Sequence, residues 1–148
     1  MKILLLENGS DALLWLRETL RGHTIVEYGY PFVPDGLAKA AIGCDRIIFS
    51  AAALPAGIDL PYYKEELQTL RALTIPVLGL GRAGGILLEA YGVKVKMTNV
   101  GVDVRTAPVG WKESQGIWKD GDGNCAVLSQ EKDRQENVLR DWLVGKVS

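Results

Sequence analysis

Histidine is almost missing from this chain: His23 is the only one in 148 residues. Chemistry that needs several imidazoles, a histidine-based metal centre first of all, is thereby excluded. Cysteine is scarce too, with Cys44 and Cys125 alone. Two are too few for a disulfide scaffold. A single bridge stays open, but two buried thiols is the reading adopted. Neither sign of charge dominates, at 17 basic against 18 acidic residues. So flat a balance gives no electrostatic footprint for nucleic acid and no pull toward an anionic membrane surface. Long hydrophobic runs are also lacking. The first, Ile3 to Leu6, stops at Glu7, too short for the apolar core of a signal peptide. Nothing approaches the roughly 20 apolar residues of a membrane span. The expectation is a soluble cytoplasmic protein.

What is present is ordinary globular composition, 47% apolar and 24% charged, which excludes a disordered chain. The length suits one domain over residues 1–148. Ile3 to Leu6 is a continuous apolar run of the kind that suits a strand covered on both faces. Leu13, Leu16 and Leu20 then share one helical face, and Gly22 ends that helix. Thr24 to Tyr28 reads as a second strand and Leu37 to Ile42 as a short helix. Arg46 to Ser50 is a third strand. Pro61 to Leu73 is a helix, with Tyr63, Leu67 and Leu70 in register. Pro76 to Leu80 is a fourth strand. Gly81 to Gly85 reads as a turn and Ile86 to Tyr91 as a helix. Val93, Val95 and Met97 alternate with lysines, as in a more exposed strand. The pattern weakens from Thr98 to Asp122. A hairpin follows, Ile117 to Lys119 and Cys125 to Leu128 around Asp120-Gly121-Asp122-Gly123. Val138, Leu139, Trp142 and Leu143 mark a last amphipathic helix. Strands alternating with helices predict a three-layer α/β/α fold with a mostly parallel, flavodoxin-like sheet.

Ligands of open α/β sheets bind beyond the carboxyl ends of the strands. Three such ends supply the candidate ligand-binding residues: Asn8, Gly9 and Ser10 after the first strand, Ser50 and Ala51 after the third, and Gly79, Gly81, Arg82, Ala83 and Gly84 at the fourth. Gly79-x-Gly81-x-x-Gly84 matches a dinucleotide fingerprint. It sits on the fourth strand, however, and no acidic residue ends the next strand to hold a ribose. Glycines required by a tight turn are the favoured explanation. Asp120 and Asp122 lack the spacing of a calcium loop, so no metal site is expected. Trp15 and Trp142 fall on helices and read as packing residues. Trp111 and Trp118 flank the weakly patterned stretch, either as a partner surface or as core.

The tract IPVLGLGRAGGILLEAYGVKV (75–95) resembles the nucleophile-elbow segment of class I glutamine amidotransferases, which carry a pattern like PVLGICLGHQLLA. LLLENGS (4–10) is similar to that family's first strand and turn. RIIFSAAALP (46–55) is similar to the strand entering its SGGP loop. NCAVLSQE (124–131) resembles its late strand ending in QFHPE. The resemblance implies a cysteine thiolate at a helix N-terminus, a histidine oriented by a glutamate and backbone N–H groups for the oxyanion. This chain departs from that set. Gly81 stands at the cysteine position, Ser129 at that of the histidine, and only Glu131 keeps the carboxylate. Ala51-Ala52 replaces the glycine pair of the oxyanion loop. Losing a nucleophile alone costs on the order of 10⁶ in kcat in a serine protease, so glutamine hydrolysis by the family mechanism is not expected. Cys44 and Cys125 lie at the wrong strand ends to substitute.

Two readings follow. The first is a catalytically inactive relative, with no cofactor, that binds a protein partner such as a synthase-type subunit. Alternatively it binds a small anion at Arg82 and the amides of Ala83 to Gly85. The second is an enzyme that uses the glycine-rich turn for a nucleotide or flavin.

Overall fold

The computed structural model describes residues 1–7, 13–29, 34–50, 59–98 and 101–146. Its strands are β1 (Lys2–Glu7), β2 (Thr24–Gly29), β3 (Arg46–Phe49), β4 (Val77–Leu80), β5 (Lys94–Thr98), β6 (Gly101–Thr106), β7 (Lys112–Ser114), β8 (Ile117–Lys119) and β9 (Cys125–Val127). Its helices are α1 (Leu13–Thr19), α2 (Pro34–Ala40), α3 (Asp59–Ala72), α4 (Arg82–Ala90) and α5 (Lys132–Leu143). Seven strands make the main sheet, in the order β2-β1-β3-β4-β9-β8-β7. The first five in that order run parallel. β8 and β7 close the far edge antiparallel. β5 and β6 form a separate antiparallel pair.

Alternation along each strand sorts its side chains onto two faces. Ile3 and Leu5 meet Leu16 of α1, Leu20 just after it, and Val138, Leu139 and Leu143 of α5. Leu4 and Leu6 meet Leu37 of α2, Leu67 and Leu70 of α3, and Ile86 and Leu87 of α4. The apolar run is continuous because both neighbours in this β1 sequence are buried, each on its own helical layer. At about 1.5–3 kcal/mol for each buried Leu or Ile, these two layers are the main source of stability. The expected three-layer α/β/α architecture is thus the observed one.

A third cluster lies under the β5–β6 pair. Leu88, Val93 and Ala126 form it, with Val95, Val104, Trp111, Trp118 and Leu128 packed around them. Trp111 also meets the Tyr91 ring edge-on, at 5.7 Å between centroids. Both tryptophans left open by the sequence are therefore half-buried packing residues.

Three differences from the sequence reading have physical causes. The stretch from Thr98 to Asp122 holds two unforeseen strands, β6 and β7. Every residue of β7 is exposed, so no apolar pattern marks it. It is a strand because β8 offers it an edge. The third difference is Gly84-Gly85, read as part of a turn but lying inside α4. Glycine is a poor helix former, yet at Gly84 a Cβ would stand 3.0 Å from the Val127 carbonyl oxygen, so the sheet requires it there. Among the described residues no helix is long and apolar enough to cross a membrane, and no group of three His, Cys, Asp or Glu could hold a metal.

Candidate functional site

The carboxyl end of β4 turns into α4 through one residue. All four residues of β4 are buried, and Gly81 follows with φ 61° and ψ −124°. Side chains are strained in that conformation, so glycine is the natural occupant. The Gly81 N–H donates to the Val127 carbonyl at 2.6 Å, tying the bend to the end of β9. Its own carbonyl accepts from the Gly85 N–H at 3.3 Å, opening the helix.

The other two glycines of the fingerprint face backbone. A Cβ at Gly79 would stand 2.8 Å from the Gly84 Cα and 3.0 Å from the Ala83 carbonyl oxygen. A Cβ at Gly84 would stand 3.0 Å from the Val127 carbonyl oxygen. α4 therefore rests directly on the main chains of β4 and β9. The Gly79-x-Gly81-x-x-Gly84 spacing serves close helix–sheet packing and a tight bend.

β9 lies beside β4, with Leu80 in register with Val127. That pairing brings Leu128 to Glu131 up to the same bend. The Glu131 N–H donates to the Ser129 hydroxyl at 3.1 Å, and Glu131 is the exposed N-cap of α5. Gln135, 7% exposed, donates from Nε2 to the Ser129 carbonyl at 2.7 Å. A Cβ at Gly81 would meet Gln130 Oε1 at 2.9 Å and Gln135 Nε2 at 3.0 Å. Two carboxamides thus crowd the space into which a side chain at Gly81 would project. Gly81 and Ser129 share this corner through Gln135. The Glu131 side chain makes no capping hydrogen bond there.

Sequence reasoning missed the two glutamines. The signal for one was present: Gln135, Val138, Leu139 and Trp142 keep the i, i+3, i+4, i+7 spacing of a buried face. A polar residue on such a face needs a partner, and Ser129 supplies it.

Other predicted site residues are distributed as follows. Ser50 is 3% exposed and donates its hydroxyl to the Leu6 carbonyl at 2.6 Å, joining the carboxyl ends of β3 and β1. Ala83 and Gly84 are buried, and Arg82 is half-buried and partnered. Asn8, Gly9, Ser10 and Ala51 lie outside the described residues.

Cys125 starts β9 and Cys44 precedes β3, so both thiols sit at the amino end of the sheet. Both are free and buried. Burial pushes the Cys125 thiol up to about 12, against a smaller opposing effect of Lys119. Burial likewise raises Cys44. His23 precedes β2, also at the amino end, 3.4 Å from the N-terminal amine.

No family model matches this chain, and no curated protein matches it in sequence. Solved structures do. A protein described as a candidate GMP synthase subunit, from Thermoplasma acidophilum, superposes with a TM-score of 0.73 at 12% identity, covering 97% of this chain and 92% of that one. A glutamine amidotransferase from Thermotoga maritima superposes with a TM-score of 0.56 at 10% identity, covering 99% and 85%. The fold is that of the class I glutamine amidotransferases. Within this amidotransferase-like fold, the tract 75–95 forms a strand, a one-residue bend and a helix, as the resemblance implied. The bend carries neither thiol nor imidazole among the described residues. Its nearest strand partner delivers carboxamides instead.

Proposed function

We propose that this chain, one domain over residues 1–148, is a catalytically inactive glutamine amidotransferase-like protein of the cytoplasm. It serves as a docking or regulatory module for a synthase-type partner. The observation that carries this reading is Gly81: a glycine at the bend where the family resemblance calls for cysteine, with Gln130 and Gln135 against the space its side chain would need. A nucleophile cannot act from a residue that has no side chain. Cys125, with its thiol pushed up to about 12, is a poor substitute at neutral pH. The likeness to a candidate GMP synthase component supports a synthase-type partner. Burial of Gly81, Ala83 and Gly84 favours a protein partner over a small anion held by their amides. It equally disfavours a nucleotide or flavin on the glycine turn.

Ammonia release from glutamine tests the first half of the proposal. The chain alone, and mixed with synthase-type proteins from the same genome, is expected to release none above background. Steady turnover by the chain alone would end the inactive reading. Sedimentation velocity of those mixtures tests the second half, and a defined complex is the expected result. Loss of all association, with saturable binding of phosphate in a titration abolished by Arg82→Met, would favour the anion reading.

A further inference from the structure

The opposite end of the sheet holds a feature that the amidotransferase-like reading does not use. A cleft of about 180 Å³ opens beneath the last turn of α5. Pro76, Cys125 and Trp142 give it apolar walls, and Arg46, Lys119 and Asp120 bring charge to it. Strand register explains why these residues converge. Arg46 alternates with Ile47 and so shares a face with Ile48, which packs on the α1–α5 side. Cys125 lies on that side as well. Lys119 stands directly opposite Cys125 in the β8–β9 ladder, and directly opposed residues point the same way.

The charges are not equivalent. Asp120 is consumed by its own loop. Its carboxylate accepts from the Asp122 N–H at 2.9 Å, the Asn124 N–H at 3.0 Å and the Asn124 side-chain amide at 2.9 Å. The negative end of α5 is closed too. The Gly145 N–H donates to the Trp142 carbonyl and the Lys146 N–H to the Asp141 carbonyl, with Gly145 at φ 71°, which satisfies two of the last carbonyls of the helix. Arg46 is different. Its guanidinium carbon lies 5.8 Å from the centroid of the Trp142 ring, and one Nη donates to the Asp45 carbonyl at 2.8 Å. The Trp142 indole is itself fixed by donation to the Gly123 carbonyl at 2.9 Å. A guanidinium held by a ring and one carbonyl keeps further N–H donors in a fixed plane. That is the geometry that grips a planar carboxylate through two parallel hydrogen bonds.

We propose that this amino-edge cleft is a ligand site for a small carboxylic acid, its carboxylate on Arg46 and its short apolar part against Pro76 and Trp142. The cleft has room for a ligand of several heavy atoms, since its 180 Å³ is about six times the roughly 30 Å³ that a liquid water occupies. Lys119 lines the far wall.

Proton–nitrogen NMR of the tryptophan indole groups tests the site, with Trp142→Phe assigning the signal. Propionate titrated into the full chain is expected to shift the Trp142 indole signal saturably. Arg46→Met should weaken that binding by about tenfold or more. Arg46→Lys, which keeps the charge and loses the planar fork, should weaken it as well. Retained dispersion of the remaining spectrum shows that each variant is folded. The site is refuted if propionate shifts nothing up to tens of millimolar or if Arg46→Met responds like the parent. An equal response to inorganic phosphate would mean charge alone is sensed and would overturn the carboxylate assignment. Tighter binding of a tripeptide with a free C-terminus would overturn the small-molecule assignment.

Discussion

The two ends of β4 and β9 are built on opposite principles. At the carboxyl end, main chains touch: Gly79 and Gly84 let α4 approach β4 and β9 until no side chain fits between them. At the amino end the same two strands stay paired, Leu78 in register with Cys125, but α5 stands off far enough for side chains to line a cleft. The residues with reactive heteroatoms lie at this second end, with Cys125 in its wall. Beside the Gly81 bend at the other end lie the carboxamides of Gln130 and Gln135. In this molecule the position of chemistry within the fold is thus separate from the position of reactive groups in the sequence.

The largest effect that would sharpen the contrast is kinetic. Cys125 should react with iodoacetamide about a thousandfold more slowly in the native protein than in urea at neutral pH, as follows from a thiol raised from 9.0 to about 12 and reacting as its thiolate. Quantitative mass spectrometry over time checks this, and fast native labelling would open the amino end to thiol chemistry.

Next comes the carboxyl end. Gly79→Val places a branched side chain against the Gly84 backbone, which cannot step aside as a side chain would. Overpacking there should cost about 3 kcal/mol in urea unfolding. A cost near zero would mean that α4 is not locked onto β4. Gln135→Ala removes the donor to the Ser129 carbonyl and leaves a gap beside Gly81. Its expected cost is about 2 kcal/mol, and restoration by Gln135→Glu would show that the amide donor is not what matters.

The smallest effect belongs to neither end. Arg17 on α1 and Glu27 on β2 form a two-pronged pair, with one N–O distance of 2.9 Å. The Arg17 hydrogen bonds hold the Glu27 carboxyl below its usual range. A carboxyl lowered in this way stabilises the fold above its unfolded pKa, and the contribution is lost as pH falls through the folded pKa. Both side chains are more than a third exposed to water, so Arg17→Met should cost under about 1 kcal/mol at pH 7. Below the folded pKa of Glu27 it should cost nothing. Paired melts at the two pH values check the sign.

How much was legible depended on whether a residue's surroundings were local. β1, β3 and β4 showed in the sequence because burial on both faces demands an unbroken apolar run. The hairpin of β8 and β9 showed because Asp120 to Gly123 supplies turn chemistry that needs no distant partner. β7 did not show, since Lys112-Glu113-Ser114 becomes a strand only beside β8. Gly84 looked like a turn residue because its reason for being in a helix is the Val127 carbonyl oxygen, more than 40 positions away in the chain.

The sequence by itself determined the layering and the absence of a reactive side chain at position 81. Both follow from residue identity: apolar runs must be covered, and glycine carries no nucleophile. Only the tertiary structure decided what occupies the space beside that glycine and which groups gather at the other end of the sheet. Strand register aligns Leu80 with Val127 and Lys119 with Cys125. Register is set by packing summed over the whole sheet, which no local pattern of residues records.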